Sequence, residues 1–195
     1  MSHTMSFRLP EKLPQLIVAC SMLALLCAIW LNTYLPLQDY PEWLFQGKTL
    51  HAALTDTLDS ESLYAVRWFP IPPNALVSIL LALLNFFMPI EIAGKVMLSA
   101  YLLLFISGWR FMFRTANHAH PFRWLGVLLA FNFFFYMGLL GYTASIAVLF
   151  FAVPWLFSLK APFSPNHGVK IALLSLSLYL LHGVAFGIFI LAILV

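Results

Sequence analysis

The chain alternates long apolar runs with short polar breaks, and several runs have the length of a helix that crosses a bilayer. Residues 16–35 form an apolar segment of 20 residues, which at about 1.5 Å rise per residue covers one hydrocarbon thickness. Pro36 stops it. Residues 36–73 are the longest polar stretch and hold Asp39, Glu42, Asp56, Asp59 and Glu61, five of the seven acidic residues. Within it Trp43, Leu50, Leu54 and Leu58 recur near helical spacing, with Lys48, Thr55, Asp56 and Asp59 between them. That pattern suits one or two short helices lying on the membrane surface, a solvated loop being the alternative.

Phe69-Pro70-Ile71-Pro72-Pro73-Asn74 breaks the chain again, and Pro72 or Pro73 suits the first turn of a helix over residues 75–88. Pro89 closes that helix. Glu91 and Lys95 stand four apart at the opening of a full-length span over residues 92–113, bordered by Arg110 and Arg114. Residues 124–159 are too long for one crossing, so Gly138-Leu139-Leu140-Gly141 predicts a turn between a short helix and a span over residues 142–159. Residues 160–170 read as a loop. Residues 171–195 read as a last apolar span containing His182, with Gly183 and Gly187 as a helix-packing face. The expected fold is an all-α polytopic transmembrane bundle of about six spans, one domain over residues 1–195 with short interfacial helices in the first extramembrane loop. The chain ends on Leu194-Val195 without a polar tail, which reads as the N-terminal part of a longer membrane protein.

Composition agrees with this. Hydrophobic residues are 63% and charged residues 9% of the chain, against about 25% charged in soluble domains. The bilayer is therefore the first partner. A net charge of +3 with arginines scattered singly excludes nucleic acid as a partner. Cys20 and Cys27 are seven residues apart, about 10 Å along a helix and too far for a disulfide within it. Arg8 and Lys12 precede an apolar segment too long for a signal peptide, so the first helix reads as an uncleaved anchor with a cytoplasmic N-terminus.

The candidate chemistry begins at Asp39, held between Pro36 and Pro41 beside Tyr40 and Trp43. A carboxylate at a membrane boundary serves either an interfacial helix cap or a partner that uses it. Glu42 follows three residues on, where a helical turn brings it beside Asp39. Six alternating spans would gather residues 36–73, 114–123 and 160–170 on one face, bringing Arg67, Arg110 and Arg114 to the side of Asp39. Arginine at headgroup depth suits bidentate binding of phosphate, or plain anchoring to lipid phosphates. His51, His118 and His120 have no required metal geometry, and no metal site is assigned. His182, mid-segment, serves a buried hydrogen bond or a functional role. No P-loop, dinucleotide-binding glycine pattern, HExxH, CxxC or GxSxG occurs.

In the order of these parts the chain resembles the GT-C class of integral-membrane glycosyltransferases. The likeness rests on an acidic residue at the outer end of the first helix (Asp39 in Gln38-Asp39-Tyr40-Pro41-Glu42-Trp43), a long loop with surface helices, a Pro72-Pro73-Asn74 start to the next helix and closely spaced further spans. It is similar to uncharacterised bacterial members with Asp-x-Pro-Asn-His after the first helix. Asp39 and Pro41 match that stretch, while Glu42 and Trp43 replace its Asn and His. Tyr136-Met137-Gly138-Leu139-Leu140-Gly141 and Leu181-His182 sit where later elements of such members fall. The resemblance implies an inverting transferase at the outer face of the bacterial inner membrane, taking its sugar from a lipid-linked, polyprenyl-phosphate donor. Asp39 would be the general base for the acceptor hydroxyl, with Glu42 in reserve, or would hold a divalent cation. Arg67, Arg110, Arg114 and His182 would bind the donor.

A transporter or other non-enzymatic membrane protein, its pathway lined by His182 and Asn132, is the rival reading. Orientation divides the arguments. The resemblance places Asp39 outside, whereas Lys48, Arg67, Arg110, Arg114, Arg123, Lys160 and Lys170 on its expected face outnumber Arg8, Lys12 and Lys95 opposite.

Overall fold

The structure, a computed structural model, describes residues 12–58, 64–66, 69–116, 121–159 and 164–195. Every regular element among them is helical. Helix α1 (Lys12–Leu31) rises to the end of the bundle where Asp39 lies, and α4 (Ile90–Thr115) runs back down beside it. Contacts at both ends fix this antiparallel pair. At the upper end Trp30 Nε1–H donates to Ser99 Oγ (3.1 Å) and the Lys95 ammonium donates to the carbonyls of Trp30 and Asn32 (3.3 and 2.8 Å). At the lower end Val18 packs with Ile106 and Val127. Lys95 thus caps the open carbonyls of α1 rather than pairing with Glu91.

Between them, α2 (Tyr40–Leu54) and α3 (Ala75–Leu84) form a pair of short helices at the upper end. Gln46 meets Ser78 and His51 meets Ala82 and Phe86, so the two helices run in the same direction. Gly47 lies against Leu81 and Gly94 against Tyr40 and Leu44, close approaches that a larger side chain would block. Burial first, and the Glu91 carboxylate second, push the Tyr40 phenol up to about 12.

From the lower end of α4 the chain climbs back in pieces. A 3-10 turn (Pro121–Trp124), α5 (Gly126–Ala130) and α6 (Phe133–Tyr136) bring it to the level of Asp39. Trp109 Nε1–H donates to the Phe122 carbonyl (2.9 Å), and Tyr101 donates to the Ala130 carbonyl (2.8 Å) while stacking on Phe135. Helix α7 (Leu140–Ser158) then descends parallel to α4, with Gly108 seated on Ala147 and Phe150. Helix α8 (Pro165–Leu181) rises from the neighbourhood of Trp155 to Gly141, and α9 (Gly183–Leu194) turns down again at His182.

Among the described residues three helices are long and apolar enough to cross a bilayer: Leu13–Leu31, Ile90–Thr115 and Leu140–Ser158. That is compatible with an integral membrane protein and falls short of about six full spans. The reasons are local. Helix α3 has only 10 residues, about 15 Å. The climb after α4 is broken at Asn132 and Gly138, and the run over residues 171–195 is broken at His182. The first polar stretch does hold a helix, α2.

Candidate functional site

Asp39 owes its place to backbone contacts with a distant part of the chain. The turn at residues 136–138 presents its carbonyls to the start of α2. Gln38 N–H donates to Tyr136 (3.2 Å) and Asp39 N–H to Met137 (3.1 Å), while Trp43 Nε1–H donates to Gly138 (2.9 Å). Gly138 has φ +77°, the left-handed region that favours glycine. Asp39 is the N-cap residue of α2, and Pro41 sits in the first turn, where proline is best tolerated. Its carboxylate makes no cap bond to its own helix and no hydrogen bond to any described residue.

Asp39 lines a cavity of about 610 Å³ whose walls are α2, the segment around Tyr64 and the Pro72–Pro73–Asn74 entry to α3. Glu42 lines it too, one helical turn on. Gln46 Nε2–H donates to Glu42 Oε1 (3.1 Å) and Ser78 Oγ–H donates to Gln46 Oε1 (2.9 Å), a chain that orients Glu42 and ties α2 to α3. Trp43, Phe45 and Tyr64 supply aromatic faces. Asn74, at φ +69°, turns the chain into α3 at the rim. Two carboxylates, an amide, hydroxyls and aromatic faces form a surface suited to a ligand rich in hydroxyl groups.

The structure brings Asp39 and Glu42 together, as the i, i+3 spacing predicts. It does not bring Arg110 and Arg114 to them. Both arginines lie at the lower end of α4; Arg110 is 15 residues beyond Lys95, about 22 Å along the helix. The cause is α3, which does not cross the bundle, so α4 starts at the Asp39 end and every later loop changes side. Arg110 rests over the Trp124 ring at 5.4 Å, and Arg114 is exposed. Arg67, His118 and His120 lie outside the described residues.

His182 is at the upper end but does not line the cavity. Its Nδ1 accepts from Val184 N–H (3.3 Å), closing the start of α9, and its ring meets Tyr142 edge-on. Asn132 Oδ1 accepts from Phe135 N–H (3.1 Å) and its amide donates to the Leu129 carbonyl (3.1 Å). Both residues expected to line a transport pathway are thus engaged in capping helix starts. The residues around Asp39 do not fit a divalent cation: among the described residues no group of three His, Cys, Asp or Glu side chains converges.

Sequence reasoning missed Gln46 and Ser78, and read Gly138 as a turn without its contact with the start of α2. The Glu42–Gln46 pair is legible in its i, i+4 spacing; Ser78 and Gly138 act across 32 and 95 residues of chain, where no local pattern reports them. No protein-family model, no curated protein and no solved structure matches this chain.

Proposed function

We propose that the protein is a membrane glycosyltransferase of GT-C type, with Asp39 as general base and the sugar supplied by a polyprenyl-phosphate donor. The observation that carries the reading is the Asp39 carboxylate: fixed by backbone bonds, unpartnered among the described residues, and set in a cavity wall beside Glu42. A base must reach the hydroxyl it deprotonates within hydrogen-bond distance, and a carboxylate with no other partner in a cavity wall is free to do so. In the reaction Asp39 takes the acceptor's hydroxyl proton. The acceptor oxygen forms a bond to the anomeric carbon from the face opposite the donor oxygen. The bond to that oxygen breaks, and the polyprenyl phosphate leaves with the electron pair and inverted product behind it.

Arg110 and Arg114 have no part in that step, being at the far end of α4. Their position instead supports an orientation. The described cations at the lower end are Arg110, Arg114 and Lys170, on the side of the α1 start; those at the Asp39 end are Lys48 and Lys95. With the chain threaded in this way the positive-inside rule favours a cytoplasmic N-terminus and an outward Asp39 cavity. Treating α3 as a crossing would instead put these arginines on the Asp39 side.

The test uses the whole chain reconstituted in vesicles with a set of polyprenyl-phosphate hexoses, following donor loss by mass spectrometry. Wild-type protein consumes at least one donor in the presence of a hydroxyl acceptor, and Asp39→Asn lowers that rate by about 100-fold or more. An Asp39→Asn protein as active as wild type would overturn the proposal, as would a wild type that consumes none.

A further inference from the structure

The geometry points to Gly138 as the positioning residue for Asp39: its left-handed turn is a latch that sets where the carboxylate stands on the cavity wall. The inference rests on the reading of Asp39 as the general base. Three hydrogen bonds join residues 136–138 to the start of α2, and all three use carbonyls of the turn, so no side chain of the turn is needed to hold Asp39. What is needed is the absence of one. A Cβ on Gly138 would come within 2.7 Å of the Asp39 backbone nitrogen and 2.9 Å of the Tyr40 nitrogen, distances at which one backbone must move. At φ +77° an L side chain also strains the turn itself. Either relief shifts Asp39. Trp43 extends the latch onto the cavity, because the same indole that donates to Gly138 lines the wall with Asp39 and Glu42. By contrast the opposite wall, carried by Ser78 on α3, is tied to α2 through Gln46. The latch therefore predicts a local effect: the carboxylate moves and the α3 wall stays.

The experiment reads position 39 directly and needs no substrate. In a Cys20→Ser, Cys27→Ser background of the full chain in vesicles, Asp39→Cys and, separately, Ser78→Cys serve as reporters. Their rates with a sulfonate-bearing methanethiosulfonate are followed against pH. Adding Gly138→Ala changes the rate at position 39 by about tenfold through altered access and thiolate fraction, with position 78 within about twofold. Trp43→Phe, which removes the bond to Gly138 with part of the ring, changes position 39 in the same direction by about threefold and leaves position 78 unchanged. Unaltered rates at position 39 would overturn the latch, and parallel changes at both positions would make Gly138 merely structural. If Gly138→Ala is lost from the membrane, the Trp43→Phe pair decides by the same criterion. In the unlabelled chain Gly138→Ala lowers kcat on the order of 100-fold with KM nearly unchanged, the signature of a displaced base. A wild type that consumes no donor defeats the transferase reading alone, and the thiol rates still decide the latch.

Discussion

At the end of the bundle where α1 stops and α4 begins, polar groups are bound into the backbone or into one another: Lys95 on two carbonyls, Trp43 on Gly138, Gln46 between Glu42 and Ser78. At the other end, where α4 stops, Arg114 is exposed and Arg110 lies over Trp124. The glycines do not follow that division: Gly94 and Gly138 have neighbours where a Cβ would go, as do Gly108 and Gly126 further down, whereas Gly168 and Gly183 have open space. The difference teaches how to separate a site from an anchor. Cations and aromatics facing outward suit lipid headgroups and ask nothing of the fold. A carboxylate left without a partner inside a tightly organised region is where a candidate site is sought.

The largest expected effect comes from exchanging the roles of the two ends. Asp39→Asn lowers donor consumption about 100-fold or more, while Arg110→Ala combined with Arg114→Ala leaves it within about twofold. Equal losses would mean that the phosphate is held at the lower end and would break the comparison. Packing gives the next effect. Gly94→Leu drives a side chain into Tyr40 and Leu44 and costs about 2 kcal/mol. Gly168→Ala adds a methyl in open space within a helix and stabilises by about 0.5 kcal/mol. Thermal unfolding in one detergent compares the two, and a Gly94 variant as stable as wild type would show that α2 is not seated on α4.

A smaller effect sharpens the same contrast through charge. Lys95→Met frees the two carbonyls at the end of α1 and costs about 1 kcal/mol, whereas Arg114→Met on the exposed end leaves the unfolding midpoint in place. The smallest is a pH effect at Tyr40. Its phenol is pushed up to about 12, so the folded chain keeps the proton where an unfolded one, near 10, loses it. The resulting stability is full below pH 10 and is lost between pH 10 and 12. Tyr40→Phe removes that slope, and an absorbance titration in which Tyr40 ionises near pH 10 would refute it.

Much of this architecture is legible in the residues. Hydropathy places the first span and those of α4 and α7, and the spacing of Trp43 with Leu50 and Leu54 foretells α2. Asp39 is legible as a candidate because two prolines and two aromatics frame it. The course of the chain after α3 is not legible, and one physical reason accounts for the misplaced arginines. Ala75 to Leu84 is as apolar as a span, but it is 10 residues long and lies alongside α2 through Gln46–Ser78 and Gly47–Leu81. Hydropathy reports how apolar a segment is, not whether a partner keeps it at one end. His182 is the second such case, since an unbroken apolar run hides a turn whose backbone is satisfied by the imidazole itself.

The claim on which the rest depends is that Asp39 and Arg114 lie at opposite ends. Single cysteines at Thr57, just beyond α2, and at Ala116, just beyond α4, in the Cys20→Ser, Cys27→Ser background test it most directly. Both positions are exposed. In intact cells a membrane-impermeant maleimide labels position 57 and leaves position 116 unlabelled until the membrane is permeabilised. Labelling of both positions from outside, or of neither, would place the two loops on one face and contradict the account; labelling of position 116 alone would keep the threading and reverse its orientation.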